Sequence, residues 1–81
     1  MKVRAQFYAQ LRDVVGSREM DVDLTQEATV RDLLEQIYAQ QPDLRPHDKS
    51  ILISVGLEFV DRTYKLKSGD EVSIMPPVQG G

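Results

Sequence analysis

Apolar and polar residues alternate strictly in two stretches near the start of the chain. The first stretch places Val3, Ala5 and Phe7 on one side, and the second runs from residue 19 to residue 24. A period of two is typical of a strand with one buried face, and the stretches are close enough to pair as a hairpin. Between them, LRDVVG at 11–16 predicts a short helical turn that its glycine closes.

A single longer helix is predicted in the middle of the chain, over TVRDLLEQIYAQQP at 29–42. Thr29 is a favourable N-cap, and Asp32 three residues later completes a capping-box pattern. Pro42 ends the helix because proline lacks an N–H and clashes with the preceding turn. Apolar residues recur at helical spacing and form one stripe toward the core, made of Val30, Leu33, Leu34, Ile37 and Tyr38.

Three further strands are predicted in the second half of the chain. The apolar run ILISV at 51–55 is typical of a central strand buried on both faces, which Gly56 ends or bends. EFV at 58–60 predicts a short edge strand. KSGD at 67–70 is a turn signal, and EVSIM at 71–75 predicts the final strand.

The predicted order is therefore strand, strand, helix, strand, short strand, strand. One helix covers only one face of a small mixed sheet. The sequence predicts an α+β domain over residues 1–75, in which a mixed sheet packs on one main helix.

Three apolar residues do not fit the inward pattern. Tyr8 lies on the outward side of the first strand, Met75 is outward of Ile74, and Leu57 follows Gly56 in a predicted turn. If the first and last strands are neighbours, Tyr8 and Met75 form an exposed apolar patch. Large exposed apolar side chains are typical of docking surfaces.

Composition excludes several classes of protein. The chain has no cysteine, so disulfides, iron–sulfur clusters and cysteine nucleophiles are ruled out. The net charge of −3 argues against a nucleic-acid partner. No signal peptide or membrane span is predicted, and the expected location is the cytoplasm. The single histidine, His47, lies in the loop-like run PDLRPHDKS and is expected to be solvated.

No motif for chemistry occurs inside the domain. The sequence contains no P-loop, no dinucleotide-binding glycine motif and no zinc-protease motif. Its serines lack a nucleophile elbow. We expect no bound cofactor, no metal and no active site of the domain's own.

The ending MPPVQGG at 75–81 is the most unusual stretch. Pro76 and Pro77 favour extended polyproline geometry, so residues 76–81 can reach about 20 Å from the sheet at about 3.3 Å per residue. Two glycines form the thinnest possible thread, and a glycine carboxylate is the least hindered carboxyl that a protein offers. Such an end can enter a narrow channel and react there once another enzyme has activated it.

These stretches carry a resemblance to a known family. VRAQFYAQLRDVVG at 3–16, TVRDLLEQI at 29–37 and LKSGDEVSIMPPVQGG at 66–81 are similar to the MoaD branch of the MoaD/ThiS family. Members of this family are ubiquitin-like β-grasp sulfur carriers. The resemblance covers essentially the whole chain. One departure is Gly56, where the family often has asparagine.

The resemblance implies a mechanism. A MoeB-type E1-like enzyme uses ATP to adenylate Gly81, and a sulfurtransferase supplies sulfur for a thiocarboxylate. The tail then enters a MoaE-type large subunit, in a heterotetramer, and donates sulfur to the dithiolene of molybdopterin. The catalytic positions implied are Gly81 and Gly80, and the predicted partner contacts are Tyr8, Leu57, Met75, Pro76, Pro77 and Val78.

Other functions stay open. A ubiquitin-like modifier would use the same Gly81 to form an isopeptide bond with lysine. A ThiS-like carrier would serve thiamin synthesis, and a related pathway would serve a tungsten cofactor. A plain interaction module would leave the tail chemically idle.

Overall fold

Five strands form one mixed sheet in the computed structural model, which describes residues 1–77. The strands lie in the order β2-β1-β5-β3-β4. Along the chain the elements are β1 (Lys2–Phe7), α1 (Gln10–Val15), β2 (Glu19–Asp23), α2 (Val30–Gln40), a 3₁₀ helix (Pro42–Ser50), β3 (Leu52–Val55), β4 (Glu58–Phe59) and β5 (Glu71–Met75).

Strand β1 joins the two halves of the sheet. It pairs antiparallel with β2, as the predicted hairpin requires, and parallel with β5. The register places Ala5 beside Val72 and Phe7 beside Ile74. All four of these side chains are buried, so the inward faces follow the period of two in the sequence.

Helix α2 covers the inner face of the sheet and matches its prediction closely. The Thr29 side chain accepts a hydrogen bond from the Asp32 N–H, and the Asp32 carboxylate accepts one from the Thr29 N–H. This capping box satisfies backbone donors that the first helical turn leaves open. The predicted stripe is buried at all five positions, Val30, Leu33, Leu34, Ile37 and Tyr38.

The run PDLRPHDKS is not the loop that the sequence predicts but a 3₁₀ helix, Pro42–Ser50. Contacts with several parts of the domain hold it in place. Leu44 is fully buried, and the Tyr38 hydroxyl donates a hydrogen bond of 2.6 Å to Asp48 Oδ1. His47 is half-buried within this helix, so it is less solvated than expected.

The prediction of a central strand buried on both faces at 51–55 is wrong. The central strand is β5, and β3 lies between β5 and the two-residue strand β4. Leu52 is 37% exposed, because helices cover only the inner face and Leu52 points outward with its partner Met75. The short edge strand, the bend at Gly56 and the final strand are confirmed.

Candidate docking surface and tail root

Tyr8 and Met75 lie side by side where β1 and β5 end. Phe7 pairs with Ile74, and the Tyr8 N–H continues the ladder by donating to the Ile74 carbonyl at 3.1 Å. Since Phe7 and Ile74 point inward, the next residue on each strand points outward. Tyr8 is 41% exposed and Met75 is half-buried. β1 and β5 are therefore neighbours, which is the arrangement that the prediction of an exposed pair of Tyr8 and Met75 required.

Two further residues extend this pair, and the sequence analysis did not identify either. Leu52 is the cross-strand partner of Met75, and cross-strand partners share a face. Phe59 on β4 is the partner of Ser54 and is 71% exposed. The sequence predicts a strand buried on both faces for Leu52 and a short edge strand for Phe59. Residues 51–53 are all apolar, so the sequence carries no signal that Leu52 faces outward.

We define the apolar patch as Tyr8, Leu52, Phe59 and Met75. Ser54 and Ser73 lie between these residues on the outer face, as direct partners in the β3–β5 register. Because these two side chains are short, the large apolar side chains of the patch stand above them. Large apolar side chains beside short ones suit a partner's protruding side chain.

A shallow depression of about 370 Å³ continues the patch toward the edge of the sheet, lined by Ile51, Leu52, Ile53, Phe59, Val60 and Arg62. It exists because β3 and β4 pair over only two residues each. Beyond them the Val60 N–H donates to the Ile53 carbonyl, and the Arg62 guanidinium donates to the Ile51 carbonyl. Arg62 forms the polar rim of this depression.

The other end of the outer face is charged. Arg4 Nε contacts Asp21 Oδ1 at 3.2 Å, and Lys2 and Glu71 lie beside them. The hydrogen bond to Asp21 raises the pKa of Arg4 above its usual value. The outer face is thus divided along the strands, with charged side chains where β5 begins and the apolar patch where β5 ends.

Leu57 does not belong to the patch. It is fully exposed in the turn between β3 and β4, next to the pair Val55–Glu58. Val55 pairs with Val72, so this turn lies three positions from Met75 along β5, about 10 Å away. Its predicted role as a partner contact stays a prediction, separate from the patch.

The tail begins directly at the patch. Met75 is the last residue of β5, Pro76 is half-buried and Pro77 is exposed. Val78, Gly80 and Gly81, which the sequence analysis assigned to partner binding and catalysis, lie outside the described residues. β5 ends at Met75, and the division of the chain into a domain at 1–75 and a tail at 76–81 stays a prediction.

Within residues 1–77 no group of three or more His, Asp or Glu side chains is arranged to hold a metal ion. None of the helices described in this range is long and apolar enough to cross a membrane. The candidate site consists of the apolar patch and the tail root, which is Pro76 and Pro77.

A mixed five-stranded sheet packed on one main helix defines this protein as a ubiquitin-like β-grasp domain. The ThiS family profile matches residues 5–81, and the chain belongs to this family.

Curated relatives are similar in sequence to this chain over their full length. The chain is 37% identical over 83 residues to the molybdopterin synthase sulfur carrier subunit of Chlamydomonas reinhardtii, with 100% of both chains covered. It is 31% identical over 94 residues to small archaeal modifier protein 3 of Haloferax volcanii, again covering 100% of both.

Solved structures of other proteins have the same fold as this chain. A Pyrococcus furiosus protein described as subunit 1 of a molybdopterin converting factor superposes with a TM-score of 0.88 at 30% identity, covering 96% of this chain and 99% of that one. The same fold occurs in a complex of subunits 1 and 2 of the molybdopterin-converting factor of Helicobacter pylori, with a TM-score of 0.72 at 22% identity and 100% of both chains covered.

Proposed function

We propose that this protein is the sulfur carrier subunit of a molybdopterin synthase, and that Gly81 carries the sulfur as a thiocarboxylate. The observation that carries the proposal is the position of the apolar patch at the root of the tail, in a chain that is similar along its whole length to a subunit so named. Docking through the patch fixes where the tail starts, and the tail then determines where Gly81 arrives.

The proposed chemistry starts from an unreactive group. A free carboxylate is a poor acyl donor, so an E1-like partner first joins Gly81 to the α-phosphate of ATP and releases pyrophosphate. Sulfur at the oxidation level of sulfide, supplied by a sulfurtransferase, then displaces AMP and leaves a thiocarboxylate. This chain contributes an unhindered carboxyl and a docking surface, and its partners contribute the catalytic groups.

The proposed second step takes place in a large subunit of the MoaE type. Residues 76–81 can extend about 20 Å from the end of β5. That length allows the reactive end to enter a deep channel while the apolar patch stays on the partner's surface. Because a dithiolene contains two sulfurs, one product molecule consumes two loaded carriers.

The direct test is the mass of the protein after coexpression with an E1-like enzyme and a sulfurtransferase. We expect Gly81 to gain the mass difference between sulfur and oxygen. The loaded protein should then form molybdopterin when mixed with purified large subunit and pterin precursor. An unchanged mass, or a loaded protein that yields no dithiolene, would contradict the proposal.

A second candidate function is protein modification through Gly81. It is favoured by the 31% identity to small archaeal modifier protein 3. The same coexpression separates the two functions, since a modifier gives covalent adducts on lysines of other proteins and a carrier gives the small mass change. A ThiS-like role in thiamin synthesis predicts the small mass change but no reaction with the large subunit.

A further inference from the structure

A proline occupies the position at which the hydrogen-bond ladder between β1 and β5 would continue. In a parallel pair, a residue donates its N–H to the position before its partner and accepts from the position after it. Arg4, the partner of Glu71, donates to the Asp70 carbonyl at 3.0 Å. Tyr8 donates in the same way to the Ile74 carbonyl at 3.1 Å. This register assigns the Tyr8 carbonyl to the N–H of residue 76, which as a proline has none.

The Tyr8 carbonyl is used within the chain's next turn instead. The Leu11 N–H donates to it at 3.1 Å, and Leu11 is buried in α1. Pro76 is half-buried, so an unpaired N–H at this position would lose part of its hydration. A residue other than proline would therefore be drawn to the Tyr8 carbonyl, whose second lone pair can accept its N–H.

The second proline of the tail root does not face such an acceptor. Backbone N–H groups alternate between the two neighbours of a strand, so an N–H at residue 77 would point toward β3. Leu52 pairs with Met75, which places Ser50 opposite Pro77 in the continued register. Ser50 ends the 3₁₀ helix and lies outside β3, so the ladder has no position there.

We propose that Pro76 is a positioning residue, which ends the β1–β5 ladder at Met75 because it lacks the N–H that the Tyr8 carbonyl would accept. This inference rests on the proposed function, in which the tail carries Gly81 into the large subunit. A residue with an N–H would extend β5 by one position beside Tyr8, and that bond would have to break before the tail enters its channel. The polyproline stiffness of the tail root does not depend on this acceptor.

The structural part of the test follows the N–H that Pro76→Ala creates at position 76. In the free protein it should exchange with solvent about three- to tenfold more slowly than in an unstructured peptide, the factor given by one net backbone hydrogen bond. Pro77→Ala is the matched control, because its new N–H has no ladder partner and should exchange at the peptide rate. Equal exchange at the two positions, whether fast or slow, would overturn the inference.

The functional part uses protein already loaded with sulfur and large subunit at a saturating concentration. Pro76→Ala should form product about three- to tenfold more slowly, because the added hydrogen bond must break first. Replacement of Pro76 by N-methylalanine, introduced by cell-free synthesis, removes the ring but adds no N–H and should restore most of the rate. A rate that stays low with N-methylalanine would assign the effect to the ring, and an unchanged rate in Pro76→Ala would show that the ladder does not limit the tail. Either result overturns the inference.

These outcomes are distinct from failure of the proposed function. If the loaded wild-type protein forms no product with the large subunit, the proposed function fails. The exchange rate at position 76 in Pro76→Ala then still decides whether Pro76 ends the ladder.

Discussion

Tyr38 and Tyr8 show how single residues of the same type reach different roles in this small domain. Tyr38 lies in the helical stripe and is buried, and its hydroxyl donates to Asp48. Burial and this hydrogen bond both raise the pKa of the Tyr38 phenol above its usual value. Tyr8 lies at a strand end on the outer face, where its ring is available to a partner.

The pKa shift of Tyr38 predicts a loss of stability at high pH. The folded state holds the phenol proton more tightly than the unfolded chain, whose tyrosines titrate near a pKa of about 10. The stabilisation is therefore complete below about pH 10 and is lost as the pH rises above it. Urea unfolding at several pH values should show a steeper decline above about pH 10 in the wild type than in Tyr38→Phe.

The same Tyr38→Phe variant should be less stable near neutral pH. It removes a hydrogen bond to a carboxylate, which costs about 1–2 kcal/mol when that carboxylate stays partly solvated. Equal stability of the two proteins at neutral pH, together with parallel pH curves, would show that the hydroxyl does not anchor the 3₁₀ helix.

Charged substitutions in the apolar patch should weaken docking without unfolding the protein. Tyr8→Asp and Met75→Asp each place a charge in the centre of the proposed interface, where a loss of about 2–4 kcal/mol is expected for a central contact. Thermal stability should change by about 1 kcal/mol or less, since neither residue belongs to the buried core. Calorimetric titration of the large subunit, beside thermal melts, measures both quantities.

Two variants define the limits of that surface. Ala39→Asp adds the same charge on the exposed side of α2, away from the sheet, and should leave affinity unchanged. Leu57→Asp tests the predicted contact outside the patch. A loss there equal to that of Tyr8→Asp would mean that the partner extends to the β3–β4 turn. Collapse of stability in Tyr8→Asp would instead assign Tyr8 to the core.

At the scale of elements, the parts set by local signals were predictable from the sequence. The capping box of α2, its apolar stripe and the alternation of β1 all depend on residues a few positions apart. The position of β3 in the sheet depends instead on pairing between distant strands. An apolar run has the same appearance whether one face or both are covered, so the exposure of Leu52 could not be recognised from the run itself.

The 3₁₀ helix and the patch illustrate the same limit. PDLRPHDKS contains two prolines and no helical stripe, and it is ordered by contacts with Tyr38 and Arg62 on other elements. Two of the four patch residues, Tyr8 and Met75, could be predicted from the alternation of inward and outward positions along β1 and β5. The other half required the register of β3 with both of its neighbours.

The capping box of α2 predicts a specific loss of stability. Thr29→Ala removes the side-chain acceptor of the Asp32 N–H and should destabilise the protein by about 1 kcal/mol, measured by urea unfolding. Thr29→Ser keeps that oxygen and should lie close to the wild type. If alanine and serine have the same effect, the cap contributes through something other than this hydrogen bond.

At the scale of the whole molecule, the proposed function assigns docking and chemistry to separate parts of the chain. Deleting Gly81 shortens the reach of the tail by about 3.3 Å, and a misplacement of about 1 Å can already cost about a hundredfold in rate. We expect molybdopterin formation to be abolished while affinity for the large subunit stays nearly unchanged. Gly81→Ala keeps the reach but adds a methyl group, so its rate should be reduced but measurable.

A reconstituted assay with purified large subunit compares these two variants with the wild type. Product formation at the wild-type rate by the truncated protein would show that Gly81 is not the reacting residue. Loss of binding in that variant would show that the tail, rather than the apolar patch, provides most of the affinity.

The central position of β5 has a consequence for how the protein is made. Ribosomes synthesise β1 and β3 before β5, yet these two strands do not pair with each other and meet only through it. Apart from the β1–β2 and β3–β4 hairpins, the sheet must therefore wait for residues 71–75 to leave the ribosome. A nascent chain interrupted before β5 lacks both the strand that joins the two hairpins and the residues from which the tail extends, so it is not a substrate for sulfur loading.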